Sequence, residues 1–214
     1  MYTGIVHRSV EVTHLHDEPG LRTFAVGLEP ELRDGLEIGA SVGLDGVCLT
    51  VTRVDSDDIF FDAIRETQEL TTLGKLELGS AVNVERSALS GAEIGGHEIS
   101  GHVDGTVTIQ DIESTENNRV LTFAAPVKWM KYIFPKGFIA LNGCSLTVVD
   151  VDREKAIFTV HLIPETLRVT TFGQKRVEDR VNFEIDRKTQ VIVDTVRAFL
   201  SEQAHEGSVA ALAG

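Results

Sequence analysis

The sequence predicts an all-β chain: two similar small barrels in tandem, followed by one helix. Two observations carry this expectation. The chain repeats itself at about half its length, and each copy is a run of short β-rich segments separated by turn residues. At an offset of 97 residues, Asp45–Asp55 (DGVCLTVTRVD) falls on Asn142–Asp152 (NGCSLTVVDVD), and Thr3–Val6 (TGIV) falls on Ser100–Val103 (SGHV). Two extra residues in the second copy then bring Ile64–Gly74 (IRETQELTTLG) onto Ile163–Gly173 (IPETLRVTTFG) and Val82–Glu85 (VNVE) onto Val181–Glu184 (VNFE). Such internal similarity marks two structural units. They are expected over residues 1–97 and 98–187, with a helix over 188–203 and a loose tail over 204–214.

Each element follows from local pattern. CLTVTRV, DIFFDAI, SLTVVDV and AIFTVHLI are short, rich in Val, Ile, Thr and Phe, and bounded by Gly, Asn and Asp, as barrel strands are. ETQELTTLG and ETLRVTTFG each predict a short helix after a strand, stopped by glycine, and PVKWMKYIF predicts another. From Lys188 to about Gln203, apolar residues Ile192, Val196, Phe199 and Leu200 recur at i, i+4, i+7, i+8, the mark of an amphipathic helix. Its apolar face needs a partner: its own barrel or, as the sharper expectation, other subunits. HEGSVAALAG is small and featureless, hence the expected tail.

Charge and length exclude several functions. Of 214 residues, 33 are Asp or Glu against 20 Lys or Arg, a net charge of −13 that repels phosphate backbones and acidic membrane surfaces. Nucleic acid and membrane are therefore not expected partners. No stretch reaches the ~18 apolar residues of a membrane span, and the start has no basic segment leading into an apolar core, so the expected location is the cytoplasm. There the two cysteines, Cys48 and Cys144, are expected as free thiols.

The stretch GGHEISGHVDG (Gly95–Gly105) is where the second copy begins. His97 and His102 are five apart, a spacing that turns the rings away from each other on a helix and to opposite faces on a strand. Gly95, Gly96 and Gly101 also oppose a helix here, so no metal site is expected. His97 lies outside the SGHV copy and reads as a turn or surface residue.

The order and duplication of these motifs resemble the riboflavin synthase α-subunit family: Met-aromatic-TGIV at the start, LTV in each half, IGGHxxSGH at the junction, HLIPETL followed by TTFG, and VNFEIDRKTQ near the end. The resemblance runs from Met1 to about Leu200. It implies two six-stranded Greek-key barrels per chain, a C-terminal helix that builds a homotrimer, and a transferase reaction: dismutation of two 6,7-dimethyl-8-ribityllumazine molecules into riboflavin and a ribitylamino-pyrimidinedione. No external cofactor is implied; association with a lumazine synthase is a further expectation. Consistently, neither a Gly-x-Gly-x-x-Gly nor a Walker loop is present.

Carried over by motif, the resemblance implies an N-barrel pocket of Tyr2, Gly4, Ile5, Val6, Ser41, Cys48, Leu49, Thr50, Asp62, Ala63, Ile64, Arg65, Glu66 and Thr67. It implies a C-barrel pocket of Gly101, His102, Val103, Lys136, Ser145, Leu146, Thr147, His161, Leu162, Ile163, Pro164, Glu165 and Thr166, with Asp186 close by. Differences between copies matter most, since one ligand gives a four-carbon unit and the other receives it: Cys48 meets Ser145, Ser41 meets Phe138, and Ile5 meets His102. His102 and Thr147 are expected to handle protons. Ser145, Ser41 and Cys48 are expected to act as nucleophile or to position water, and Asp186 to orient its neighbours.

Each has a plainer reading: His102 satisfying a carbonyl, Cys48 as a buried apolar thiol, and Thr50 and Thr147 as ordinary strand residues. Cys144 reads as core. Tyr2 departs from the family's usual phenylalanine, and its hydroxyl needs a partner if buried. The rival functions are a non-catalytic antenna that binds one lumazine or flavin, and a flavin-dependent reductase, which would need a nicotinamide domain.

Overall fold

The computed structural model describes residues 1–212, with side chains as far as residue 204. The first copy consists of β1 (Arg8–Glu18), β2 (Leu21–Gly27), a single helical turn α1 (Pro30–Arg33), β3 (Ser41–Leu44), β4 (Val47–Asp55), β5 (Asp58–Ile64), α2 (Arg65–Leu70) and β6 (Ala81–Arg86). Its strands close into a barrel in the order β1-β2-β5-β4-β3-β6. The second copy, β7 (Gly105–Ser114), β8 (Arg119–Ala124), β9 (Phe138–Leu141), β10 (Cys144–Asp152), β11 (Ile157–Leu162), α3 (Pro164–Val169) and β12 (Arg180–Ile185), closes with the same neighbours. Both barrels are antiparallel throughout, with a Greek-key crossover in which β2 pairs with β5.

Alternation drives the closure. Val42, Leu44, Val47, Leu49 and Val51 turn into the first core around Phe24 and Phe61, while the second core gathers Phe123, Phe158, Phe172 and Phe183. Each fully buried phenylalanine contributes roughly 2–3 kcal/mol. Six strands must bend sharply to close, and both copies bulge at equivalent places: Val12/His14 and Ile109/Asp111, then Val51/Arg53 and Val148/Val151. The two extra residues of the second copy lie in the β10–β11 turn, where Asp152 faces Ile157; the β4–β5 turn is shorter, with Asp55 facing Asp58.

The barrels meet along a seam that obeys the same duplication. Asp45-Gly46 (φ 44° and 79°) and Asn142-Gly143 (φ 42° and 80°) form two-residue hairpin turns whose left-handed backbone suits Asp, Asn and Gly. The tips touch: a Cβ on Gly46 would sit 2.6 Å from the Gly143 nitrogen. Asn83 Nδ2 donates to Asn142 O and Asn182 Nδ2 to Asp45 O, both at 2.9 Å. The amide oxygens of Asn182 and Asn83 accept from Thr72 N and Thr171 N, both at 2.7 Å.

The leading segment of each copy crosses this seam. Glu85 holds Thr3 N and Gly4 N, and Glu184 holds Ser100 N and Gly101 N. Yet Gly4 O accepts from Ser145 N of the second barrel and Gly101 O from Cys48 N of the first, both at 2.9 Å. Val6 accordingly sits in the second core and Val103 in the first. The division expected at residue 97 therefore separates the strands but not the chain's crossing ends.

Helices differ from expectation in three places. Threonine, not glycine, ends α2 and α3: the hydroxyls of Thr71 and Thr170 donate to Thr67 O and Thr166 O and accept from Leu73 N and Phe172 N, starting 3₁₀ turns. Gly74 and Gly173 serve close approach instead, since a Cβ there would lie 2.2 Å from Gln68 O and 2.5 Å from Leu167 O. PVKWMKYIF forms a 3₁₀ turn at Val127–Tyr132 rather than an α-helix. Finally α4 (Arg187–Leu212) continues beyond Gln203, so most of the expected tail is helical. Alanines 204, 210 and 211 favour this, and the lone Gly207 costs only about 1 kcal/mol. Residues 213 and 214 of that tail lie outside the described residues.

Only part of α4 packs on its own barrel: Val193 touches the second core and Asp194 accepts from the Tyr132 hydroxyl at 2.6 Å. Val191, Ile192, Val196, Phe199 and Leu200 remain more than half exposed. No helix among the described residues is long and apolar enough to cross a membrane.

Candidate functional site

Where the leading segments cross, two equivalent sites form. The first centres on Cys48, half-buried on β4 opposite Gly43 of β3. Gly101 lies directly over it: a Cβ there would meet Cys48 Cβ at 2.6 Å and Tyr2 Cε2 at 2.8 Å, and φ is +80°. Only glycine fits. The Tyr2 hydroxyl donates to Cys48 Sγ at 3.1 Å, so the partner its burial demanded is the thiol. Ser41 faces Thr50 across β3 and β4, and Leu49 points into the core. At the end of β5, Asp62 accepts from the Thr23 hydroxyl at 2.6 Å, Ala63 is buried and Ile64 is exposed. Arg65, Glu66 and Thr67 open α2, where Arg65 pairs with Glu69 at the surface. His102 follows Gly101 and is exposed; Val103 is buried.

The second site centres on Ser145, at the equivalent position of β10, beneath Gly4. Here the partner is an imidazole: His97 Nδ1 lies 2.6 Å from Ser145 Oγ, and the ring stacks on Phe138 with centroids 5.2 Å apart and planes 13° apart. Gly96 makes this possible, since a Cβ would stand 2.6 Å from Ser145 Cβ and 2.4 Å from Thr3 O. Ile5, beside Gly4, is half exposed and Val6 buried. Leu146 is half-buried, and Thr147 is exposed opposite Phe138. Lys136 is exposed in the left-handed turn before β9 (φ 67°). His161 is exposed, with Nδ1 3.3 Å from Asn118 Nδ2. Leu162 is buried and Ile163 exposed, and Pro164, Glu165 and Thr166 open α3, Glu165 pairing with Arg168.

The structure thus regroups the expected residues. Gly4, Ile5 and Val6 belong with Ser145, and Gly101, His102 and Val103 with Cys48, because each leading segment crosses to the other barrel. His97, expected as a turn or surface residue, is only 8% exposed and touches the central hydroxyl of its site. Its counterpart would precede Met1, so comparing copies does not reveal it. Its signal was the pair of glycines before it, which let the chain pass over a neighbour.

Electrostatics separate the two sites. Burial lowers the His97 pKa, with Asp186 opposing and Lys188 adding to the shift, so the ring is neutral at neutral pH. With its proton on Nε2, Nδ1 accepts the Ser145 hydroxyl hydrogen. Asp186 caps α4, accepting from Thr189 N and Oγ1; burial opposes ionisation, but these hydrogen bonds and nearby His97 hold its carboxyl below the usual range. At the other site burial and the bond to Cys48 push the Tyr2 phenol far up, so it stays a donor. Cys144 is fully buried in the second core, and burial raises its thiol well above the ordinary range. Among the described residues no cluster of His, Cys, Asp or Glu is placed to hold a metal ion.

Comparison with known proteins places this geometry. The lumazine binding domain matches twice, over residues 3–87 and 100–186. Riboflavin synthase of Escherichia coli (strain K12) is 46% identical over 202 residues, covering 94% of each chain. That of Chlamydia pneumoniae is 42% identical, covering 96% of this chain and all of its own. Among solved structures, LumP complexed with riboflavin superposes with a TM-score of 0.82 at 22% identity, over 87% of this chain and 100% of LumP, a likeness of fold. With two copies of the lumazine binding domain, and identity to riboflavin synthases along almost its whole length, the chain belongs to the riboflavin synthase family.

Proposed function

We propose that the chain is a riboflavin synthase, a transferase that dismutates two 6,7-dimethyl-8-ribityllumazine molecules into riboflavin and 5-amino-6-ribitylamino-pyrimidinedione. The observation that carries this is the pair of sites: the same strand position and the same glycine roof, but Cys48 with Tyr2 in one and Ser145 with His97 in the other. A reaction between two copies of one molecule needs similar cups, and one that makes donor and acceptor of them needs the cups to differ. The identity to riboflavin synthases supports the same reading. The antenna alternative has weaker support, since LumP shares fold at only 22% identity.

In this reading His97 accepts the proton of Ser145, whose oxygen adds to an electrophilic ring carbon or positions the water that does, and Asp186 steadies the imidazolium. His102, exposed beside Cys48, takes and returns the methyl proton of the ring bound there, which Ser41 and Cys48 orient, while the exposed Thr147 hydroxyl relays protons at the Ser145 site. The apolar rims Ile5, Ile64, Phe138 and Ile163, about half exposed or more, would be covered by a neighbouring subunit, and the bare stripe of α4 would build the trimer. Location in the cytoplasm is the expectation drawn from the sequence pattern, and association with a lumazine synthase rests on the resemblance alone. The test is incubation with 6,7-dimethyl-8-ribityllumazine, with chromatography of products and sedimentation of the protein. Riboflavin and the pyrimidinedione in equal amounts from a trimer are expected; stoichiometric binding without product would defeat the proposal.

A further inference from the structure

Tyr2 is the residue at which this chain departs from the phenylalanine its family motif carries, and its ring is held on every side. A Cβ on Gly43 would lie 3.1 Å from Tyr2 Cε1, and one on Gly101 would lie 2.8 Å from Cε2. Its backbone pairs with Ile99 in both directions, at 2.8 and 3.0 Å, and the side chain packs with Ile99 and Ala140 against Cys48. The hydroxyl has one hydrogen to give, and gives it to Cys48 Sγ at 3.1 Å. The equivalent position of the second copy is Ile99, which has no hydroxyl; there Ser145 meets His97 instead.

We propose that Tyr2 is a positioning residue for Cys48: its fixed hydroxyl donates to the sulfur, pins the thiol's orientation toward the site, and favours the thiolate by a neutral donor. The link from this tie to turnover rests on the function proposed above. Burial and the bond to the sulfur hold the phenol protonated through the alkaline range, so its hydroxyl remains a donor. Hydrogen bonding to a charged form stabilises it, but a stabilised thiolate is also a weaker nucleophile. The two effects oppose each other, so their net sign depends on pH.

The test is alkylation of Cys48 by iodoacetamide across pH, in the parent and Tyr2→Phe, with peptide mass spectrometry separating Cys48 from buried Cys144. On the rising limb of each profile, where thiolate abundance limits the rate, the variant should react about threefold more slowly; on the alkaline plateau, where nucleophilicity limits it, the variant should react about threefold faster. A purely packing role gives no such crossing. Turnover of Tyr2→Phe should fall several-fold in kcat with KM within about twofold, and the effect should vanish in a Cys48→Ala background.

Superimposable alkylation profiles, or a kcat loss that persists undiminished in Cys48→Ala, would overturn the proposal. The near-ultraviolet difference spectrum of the phenol at neutral pH supplies a readout independent of Tyr2→Phe folding: in Cys48→Ala the Tyr2 band should move to shorter wavelength as its hydrogen-bond acceptor is lost, and an unchanged band counts against the tie. If the parent makes no riboflavin, the proposed function fails, while the alkylation profiles still decide whether Tyr2 controls the thiol.

Discussion

The Cys48 and Ser145 sites share a frame and differ in chemistry. Each has its sulfur or hydroxyl at the same place on the fourth strand of a barrel, roofed by a glycine at φ near +80° that arrives from the other half. The shared parts are those that backbone geometry demands. The unlike parts are single side chains: a phenol that gives a hydrogen to sulfur in one, an imidazole able to take one from oxygen in the other. Duplication preserves what positions atoms and leaves free what decides proton direction.

The frame itself should respond symmetrically, and with the largest effect. Gly46→Ala and Gly143→Ala each force a left-handed backbone and push a methyl against the opposite hairpin, so each should cost about 3 kcal/mol or more in urea unfolding. Gly39→Ala, at φ 91° with nothing within 4 Å, should cost nearer 1 kcal/mol. Unequal losses at 46 and 143 would break the symmetry of the seam.

Next comes the contrast between sites. His97→Ala should lower kcat by about 10²-fold, the scale of a lost general base, whereas Cys48→Ala should cost less than about tenfold. Equal losses would erase the distinction. In the parent, kcat should fall in acid as His97 gains a proton. Because burial lowers the His97 pKa, that fall should be centred below the ~6.5 of free imidazole. The folded ring binds a proton less readily than the unfolded one, so acid below about pH 6.5 also destabilises the fold, and His97→Gln should remove that component.

The smallest effect tests Asp45 against its counterpart Asn142. Burial pushes the Asp45 carboxyl up to about 6, against the bond from Asn83 N and the charge of Lys175. Between about pH 4 and 6 the unfolded chain ionises this group first, so the parent loses stability as pH rises, by at most about 3 kcal/mol. Asp45→Asn should flatten that stretch and be more stable at pH 8 by about 1–3 kcal/mol, as read by thermal unfolding at each pH.

The barrels were legible because strand alternation and turn residues act locally: Val42 to Val51 declares its buried face without reference to anything distant. The exchange of leading segments was not, since aligning TGIV with SGHV shows that Gly4 and Gly101 are kin, not that each roofs the other's barrel. His97 was hidden because a repeat exposes only residues that have a counterpart. The stops of α2 and α3 were half legible: both copies print Thr-Thr before the glycine, and the first threonine is the cap.

The crossing ends have a consequence for inheritance as well as for chemistry. A half-length ancestor, severed before Gly96, would have left its own thiol unroofed, and two such molecules would have had to lend each other their first residues to become whole. Carrying lender and borrower on one polypeptide replaces such a dilute encounter with a tethered one at millimolar effective concentration or more. Because the opening residues of each half roof the opposite barrel, a change in them acts on the other half's site, which ties the two together however unlike their sequences are.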